Sequence, residues 1–265
     1  MTLVLLTPLD LGLAAGLVLI LVVISRGMHF GLERQLIIAA VRTTVQLLLV
    51  GLVLKALFSN VHWGWMTLVA CVMLLAAGRE ISGRQKRYLK GGWAFGLGTL
   101  SMFVSSFAVT ILTLTVIISP TPWFEPQYAI PLLGMLLGNT MNGISVGMDR
   151  LTTAAWDQRT VIEQRLMLGE PWHKAIESMR TESVRAGLIP IINSMMAAGL
   201  VSLPGMMTGQ ILGGNPPMEA VKYQIMIMFL IAGGTGLGTV SAVWLAARRL
   251  FDERQRLRLD RLQKR

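Results

Sequence analysis

Seven apolar runs, each about as long as a bilayer crossing and mostly separated by polar or basic residues, constrain this chain more than any motif in it. A hydrocarbon core about 30 Å thick takes roughly 20 residues of helix, within about 17 to 25. The runs at 9–25, 35–58, 62–78, 94–118, 128–148, 186–207 and 223–247 meet that length, the first and third at its short end. Barrel strands would be about ten residues long and alternate polar with apolar, so the prediction is an all-α integral membrane protein with about seven transmembrane helices. Composition agrees: 53% of the 265 residues are hydrophobic and 14% charged, with a mean hydropathy of +0.60, far from a soluble domain. The first run has no basic residue ahead of it and continues to Arg26, which reads as a retained span and not a secretory signal.

Charge sets the expected orientation. Of the 24 Lys and Arg residues, 21 fall in connections that lie on one side if the N-terminus is outside and the C-terminus cytoplasmic. They include Arg79 to Lys90, Arg150 to Arg185 and the residues after Trp244, while only Arg42, Lys55 and Lys222 fall elsewhere. Cytoplasmic loops keep Lys and Arg, so N-outside and C-inside is expected. In a soluble protein the excess over 14 acidic residues would suggest nucleic acid; distributed between apolar runs it indicates a lipid bilayer and no nucleic-acid partner.

Enzyme is the weakest functional class. No GxxxxGK[ST], HExxH or CxxC occurs, and His29, His62 and His173 are scattered, so neither a phosphate-cradling loop nor a histidine metal cluster is expected. GGTGLG at 233–238 lies inside the seventh run and reads as close helix packing by small residues. Cys71 is the sole cysteine and sits in an apolar run, where a packed thiol is expected.

The polar residues inside the runs are the candidates for function. In the fifth run Met135, Asn139, Asn142 and Val146 recur at helical spacing, with Gly138, Ser145 and Asp149 beside them. Arg42 and Gln46 lie one turn apart in the second run, and Asn193 and Met196 fall in the sixth, ahead of a kink expected at Pro204. Amides buried in lipid cost several kcal/mol, so such groups face other helices or a wet path. Two readings stand: interhelical hydrogen bonds, typically about 0.6 to 2 kcal/mol in membranes, or a translocation path lined by Arg42, Gln46, Asn139, Asn142, Ser145, Asn193 and Met196. The nine methionines of the last three runs are packing residues or soft-cation ligands.

The connection at 149–185 is the longest, and residues 248–265 form a basic tail. WDQRTVIEQRLML reads as a helix stopped by Gly169, and EPWHKAIESMRTESVRAG as a second that ends near Gly187, with Trp172, Ala175, Ile176 and Met179 on one face. This hairpin either rests on the membrane or docks a cytoplasmic protein.

Three stretches, MLLGNTMNGISVGMDRL, NSMMAAGLVSLPGMMTGQILGG and AVKYQIMIMFLIAGGTGLG, together resemble the FetB family of ABC-transporter permeases, whose plant relatives are known from aluminium tolerance. The resemblance covers nearly the whole chain. It implies one permease domain in a bacterial inner membrane, working in iron export and metal homeostasis with a separately encoded ABC ATPase. ATP and Mg would be used by that partner, and this chain would bind no cofactor. A permease homodimer is implied, each copy coupled through the 149–185 loop, with an exposed Trp172 and Glu163, Arg165, Glu177 and Arg180 as contact residues. The Glu-Ala-Ala and Gly spacing of importer permeases is replaced by Ile176-Glu177-Ser178 with Gly187 ten residues after the Glu, so the docking role rests on topology and resemblance. A hard iron ion would take oxygen donors, and the metal-binding residues are undefined. A self-sufficient secondary transporter and an assembly subunit without a path are the alternatives; the first would need a coupling-ion site, and no carboxylate lies deep in a run.

Overall fold

The computed structural model describes residues 7–59 and 62–264, most of them helical. In chain order the elements are α1 (Pro8–Gly27), α2 (Glu33–Ser59), α3 (Trp63–Arg84), β1 (Arg87–Leu89), α4 (Trp93–Met102), α5 (Ala108–Leu112), α6 (Pro126–Asp157), α7 (Arg159–Met167), α8 (Trp172–Ala175), α9 (Glu177–Ala197), α10 (Gly205–Leu212), α11 (Pro217–Arg249) and β2 (Leu262–Lys264). π-Helical turns at Phe103–Phe107 and Thr113–Ile117 join α4 to α5 and extend it, making Trp93–Ile117 a single span.

Among the described residues six helices are long and apolar enough to cross a membrane. The expected span at 186–207 is not one helix. α9 stops at Ala197, Gly199 takes φ +85°, Ala198 pairs with Ser202, and α10 begins at Gly205. A glycine just past the helix end accepts the left-handed conformation at no steric cost. The break therefore comes at Gly199, earlier than the kink expected at Pro204.

The chain forms two compact units. In the first, α1 and α2 make a helical hairpin. Thr7 and Asp10 form a capping box, the Thr7 amide donating to the Asp10 carboxylate at 2.8 Å, which satisfies donors that the first turn leaves open. At the turn, Ser25 Oγ donates to Glu33 at 3.2 Å and accepts from the Leu32 amide at 3.4 Å. The apolar side chains of both helices are almost all exposed, the pattern of surfaces turned to lipid or to another apolar partner.

The second unit is built around α6, which packs against α3, α9 and α11. Small residues set its spacing. Gly143 faces Gly187 and Gly147 faces Ser183, so α6 and α9 cross antiparallel with their backbones nearly touching. A Cβ at Gly187 would lie 2.6 Å from the Gly143 carbonyl oxygen, and one at Gly143 would lie 2.6 Å from Thr235 Cγ2 and Thr239 Oγ1 of α11. A Cβ at Gly238 would be 2.5 Å from Thr140 Cγ2. GGTGLG is thus helix packing, as its composition suggested. Gly187, expected near a helix end, instead lies in the middle of α9.

The tail is folded. β2 pairs antiparallel with β1, Arg87 opposite Lys264 and Leu89 opposite Leu262. Thr152 Oγ1 ties β1 to α6 by donating to the Arg87 carbonyl at 2.8 Å, and the Lys90 amide donates to Arg261 at 2.8 Å. Leu250, Phe251 and Leu262 share a core with Ile162, Ala175 and Ile176. The basic connections Arg84 to Lys90, the hairpin and the tail therefore gather at one end of this unit, which we call the basic end.

Replacing Gly187 by Ala should cost about 1–3 kcal/mol, the usual range for overpacking, because the added methyl meets backbone that cannot rotate away. Gly236→Ala, with open space around it, should be neutral or slightly stabilising. Thermal melts in detergent compare them; equal stabilities would contradict the close crossing. A second expectation concerns acid. Arg258 grips Asp260 through two 2.9 Å bonds, holding its carboxyl down to about 2, and amide and side-chain bonds from Arg256 lower Asp252. A carboxyl lowered on folding stabilises above its unfolded pKa, and that contribution disappears as pH falls through the folded value. Hydrogen-exchange protection at the Lys90 and Arg258 amides, corrected for intrinsic rate, should hold down to about pH 4 and fall toward about pH 2. Constant protection would show that these pairs do not secure the tail.

Candidate functional site

One face of α6, between Met135 and Asp149, carries Asn139, Asn142 and Asp149 and is less buried than the rest. Leu136, Leu137, Thr140, Gly143, Ile144, Gly147 and Met148 are buried, whereas Met135, Gly138 and Asn139 are half-buried and Asn142 and Val146 exposed. Asn139 donates from Nδ2 to the Met135 carbonyl one turn back at 2.8 Å. Asn142 accepts at Oδ1 from Arg84 Nη1 at 2.6 Å, and Arg84 Nε lies 3.6 Å from Glu80. Two turns further, Asp149 accepts from the Lys86 amide at 2.6 Å. From Met135 to Asp149 this polar line covers about 21 Å at 1.5 Å per residue.

The line opens at the end away from the basic elements into a cleft of about 480 Å³, whose walls include Met135, Met206, Met226, Tyr128, Gln210 and Glu219. Glu219 is paired there with Lys222 at 2.7 Å. Three of the nine methionines thus line a cavity, while Met148 and Met207 are buried as packing residues.

Asn193 and Met196 are exposed on α9. Because Gly187 faces Gly143 in an antiparallel crossing, Asn193 comes level with the Leu137 to Asn139 turn of α6. The structure therefore brings Asn139, Asn142 and Asn193 to neighbouring levels. Ser145 is different: it is buried, and its hydroxyl reaches the Ile81 carbonyl at 3.5 Å, a bond between α6 and α3. Arg42 and Gln46 lie one turn apart on α2, both exposed, in the first unit. Cys71, expected to be packed, is exposed.

The interior of the second unit holds several buried hydroxyls within its apolar core and is closed. Ser106, Thr140, Thr235 and Thr239 are at most 2% exposed, and Gly143 and Gly187 leave no room between α6 and α9. Such hydroxyl and glycine contacts let helices approach closely. A passage through the middle of this unit would have to separate this close crossing.

At the basic end the hairpin and tail hold each other. Trp172, expected exposed, is half-buried: its ring centroid is 5.5 Å from that of Phe251, and its amide donates to Gln255 Oε1 at 3.0 Å. Ala175, Ile176 and Met179 are buried on the same face, so that face covers protein and is not free for the membrane. Arg165 is half-buried and donates to the Ala175 carbonyl at 3.4 Å, Arg180 is half-buried, and Glu163 and Glu177 are exposed. Glu163, Glu170, Glu253, Arg254 and Arg256 line a groove of about 620 Å³ between α7 and the tail. Arg84, Phe251 and Gln255 were missed as candidates; Phe251 and Leu257, apolar residues in a charged tail, were the available signal.

Residues 8–251 match the family described as "Uncharacterised protein family (UPF0014)". The UPF0014 membrane protein slr1647 of Synechocystis is 39% identical over 94% of this chain and 95% of its own. The Probable iron export permease protein FetB of Escherichia coli is 33% identical over 96% of each. The plant Protein ALUMINUM SENSITIVE 3 of Arabidopsis thaliana is 32% identical over 88% of this chain and 84% of its own. No solved structure matches the chain. Matched over residues 8–251 by the family and over most of its length by such relatives, this multi-pass bacterial membrane protein belongs to the UPF0014 family, alongside the FetB permease.

Proposed function

We propose that the chain is the membrane subunit of an ATP-driven ABC exporter for iron, and that two copies face each other across a path lined by the α6 polar face. The observation that carries this reading is the location of the amides. Asn142 is exposed on a helix of a unit whose interior is closed. Exposed amides within a span are costly against lipid, and a second copy across a hydrated path would cover them. Iron, or a chelate of it, would meet amide and hydroxyl oxygens there, suited to a hard cation. Export and iron follow from similarity to the Escherichia coli relative's name alone.

The ATPase, carrying ATP and Mg, would dock at the basic end, with Glu163 and Glu170 on α7 and Arg254 and Arg256 on the tail presenting mixed charge. Because α7, α8 and the tail share a core with the end of α11, a force applied to the hairpin would reach the long helices. ATP-driven closure of the ATPases would shift the two copies between inward and outward access.

Inverted vesicles holding this chain and its ATPase should take up iron only with ATP. The Asn139→Leu, Asn142→Leu double variant should lose at least about tenfold in rate, equivalent to about 1.4 kcal/mol, with assembly intact. Uptake without the ATPase would contradict the ABC mechanism, and an unaffected double variant would return the amides to helix packing.

A further inference from the structure

A second cleft at the basic end has a chemistry that transport along α6 does not use. It holds about 790 Å³ between the start of α4, the end of α11 and the tail, with Trp93, Leu97, Leu245, Arg248, Arg249 and Arg261 among its walls. Arg254 and Arg256 add charge, against Asp252 and Glu253. Asp252 is already engaged by Arg256 at 2.8 Å. Among the described residues no carboxylate forms an ion pair with Arg248, Arg249 or Arg261. Arg261 spends one end on backbone, donating to the Arg249 and Phe251 carbonyls at 2.8 and 3.2 Å.

Two of these arginines are fixed by aromatic rings. The Arg249 guanidinium lies 4.1 Å from the Trp93 ring centroid, and that of Arg248 lies 5.9 Å from Trp244. Stacking on a ring face leaves the in-plane N–H donors of a guanidinium available. Tryptophans at the ends of membrane helices sit at headgroup level, so the stacked cations lie at that depth. A smaller cavity of about 260 Å³ shares Trp93, Arg249 and Arg261 and adds Lys90 and Asp260, the latter held by Arg258 at 2.9 Å. Away from the charge, exposed Trp93 and Leu100 on α4 and exposed Leu237 and Trp244 on α11 continue along the spans as apolar surface, two turns apart on each helix.

The geometry points to a binding site for an anionic phospholipid, its phosphate held by Arg248 and Arg249 and its acyl chains lying along α4 and α11. Unpaired cations stacked at headgroup depth, beside a lipid-facing groove, fit a phosphodiester that arrives from the bilayer. Basic pockets between membrane helices recognise anionic headgroups in this way.

The test uses the full chain in neutral detergent, with native mass spectrometry of bound phosphatidylglycerol against phosphatidylcholine. The wild-type protein should prefer phosphatidylglycerol by about fivefold or more, the gain from one basic contact near an anionic surface. Arg248→Gln with Arg249→Gln should abolish the preference, and Arg159→Gln, outside the cleft, should keep it. Equal retention of the two lipids by the wild type overturns the proposal. A soluble-anion site, shown by inorganic phosphate raising the wild-type melting temperature without any lipid preference, overturns it too. So does a double variant that keeps its lipid preference but no longer co-purifies with the ATPase, which would mark a protein-docking face. Should the double variant not fold, the wild type alone decides: phosphatidylglycerol must raise its melting temperature more than the same amount of phosphatidylcholine.

Discussion

The crossing of α6 and α9 at Gly143 and Gly187, closed over by Thr235 and Thr239 of α11, is the contact on which the rest of the second unit depends. With no hydrophobic drive between helices in lipid, association relies on close packing, and glycine lets two backbones approach where any Cβ would hold them apart. That approach fixes the antiparallel register, and the register brings Asn193 level with the Leu137 to Asn139 turn. It also closes the interior. The amides lie on the flank of that crossing, Asn139 one turn before Gly143 and Asn142 beside it, so packing and site adjoin on one helix.

The basic end follows a different logic. Its elements are short and charged, and they are held by a small apolar core of Leu250, Phe251, Leu262, Ile162 and Ile176 together with the strand pair β1–β2. This core joins the hairpin to the end of α11, so a partner that moves the hairpin moves a membrane helix. The six carboxylates and arginines of tail residues 252–260 largely satisfy one another, as the pairs at Asp252 and Asp260 show. That leaves Arg248 and Arg249, nearest the spans, to meet an anion from outside the protein.

Much of this was readable from hydropathy. Six of the seven expected spans appear as long apolar helices, because run length alone decides whether a helix can cross. The sixth run failed for a local reason: Gly199 sits where α9 can end, and hydropathy does not register backbone conformation. Gly187 was misplaced because a glycine inside a helix and one that ends it look alike until the neighbouring helix is known. The stripe of Asn139 and Asn142 was visible from its spacing. Its partner Arg84 was not, since a residue 58 positions away leaves no periodic trace. Trp172 looked exposed because its cover, Phe251, comes from a tail that composition alone presents as a solvated charge run.

The central claim is that the α6 polar face borders water and not lipid. The direct measurement is thiol labelling of single cysteines in a Cys71→Ser background, which removes the chain's sole, exposed cysteine, using a membrane-impermeant maleimide on protein assembled with its ATPase in vesicles. Asn139→Cys and Asn142→Cys should react, while Leu100→Cys and Val116→Cys, on apolar exposed positions, should stay unlabelled. Positions 139 and 142 as inert as 100 and 116 would contradict the account, and the amides would then serve only the packing of helices.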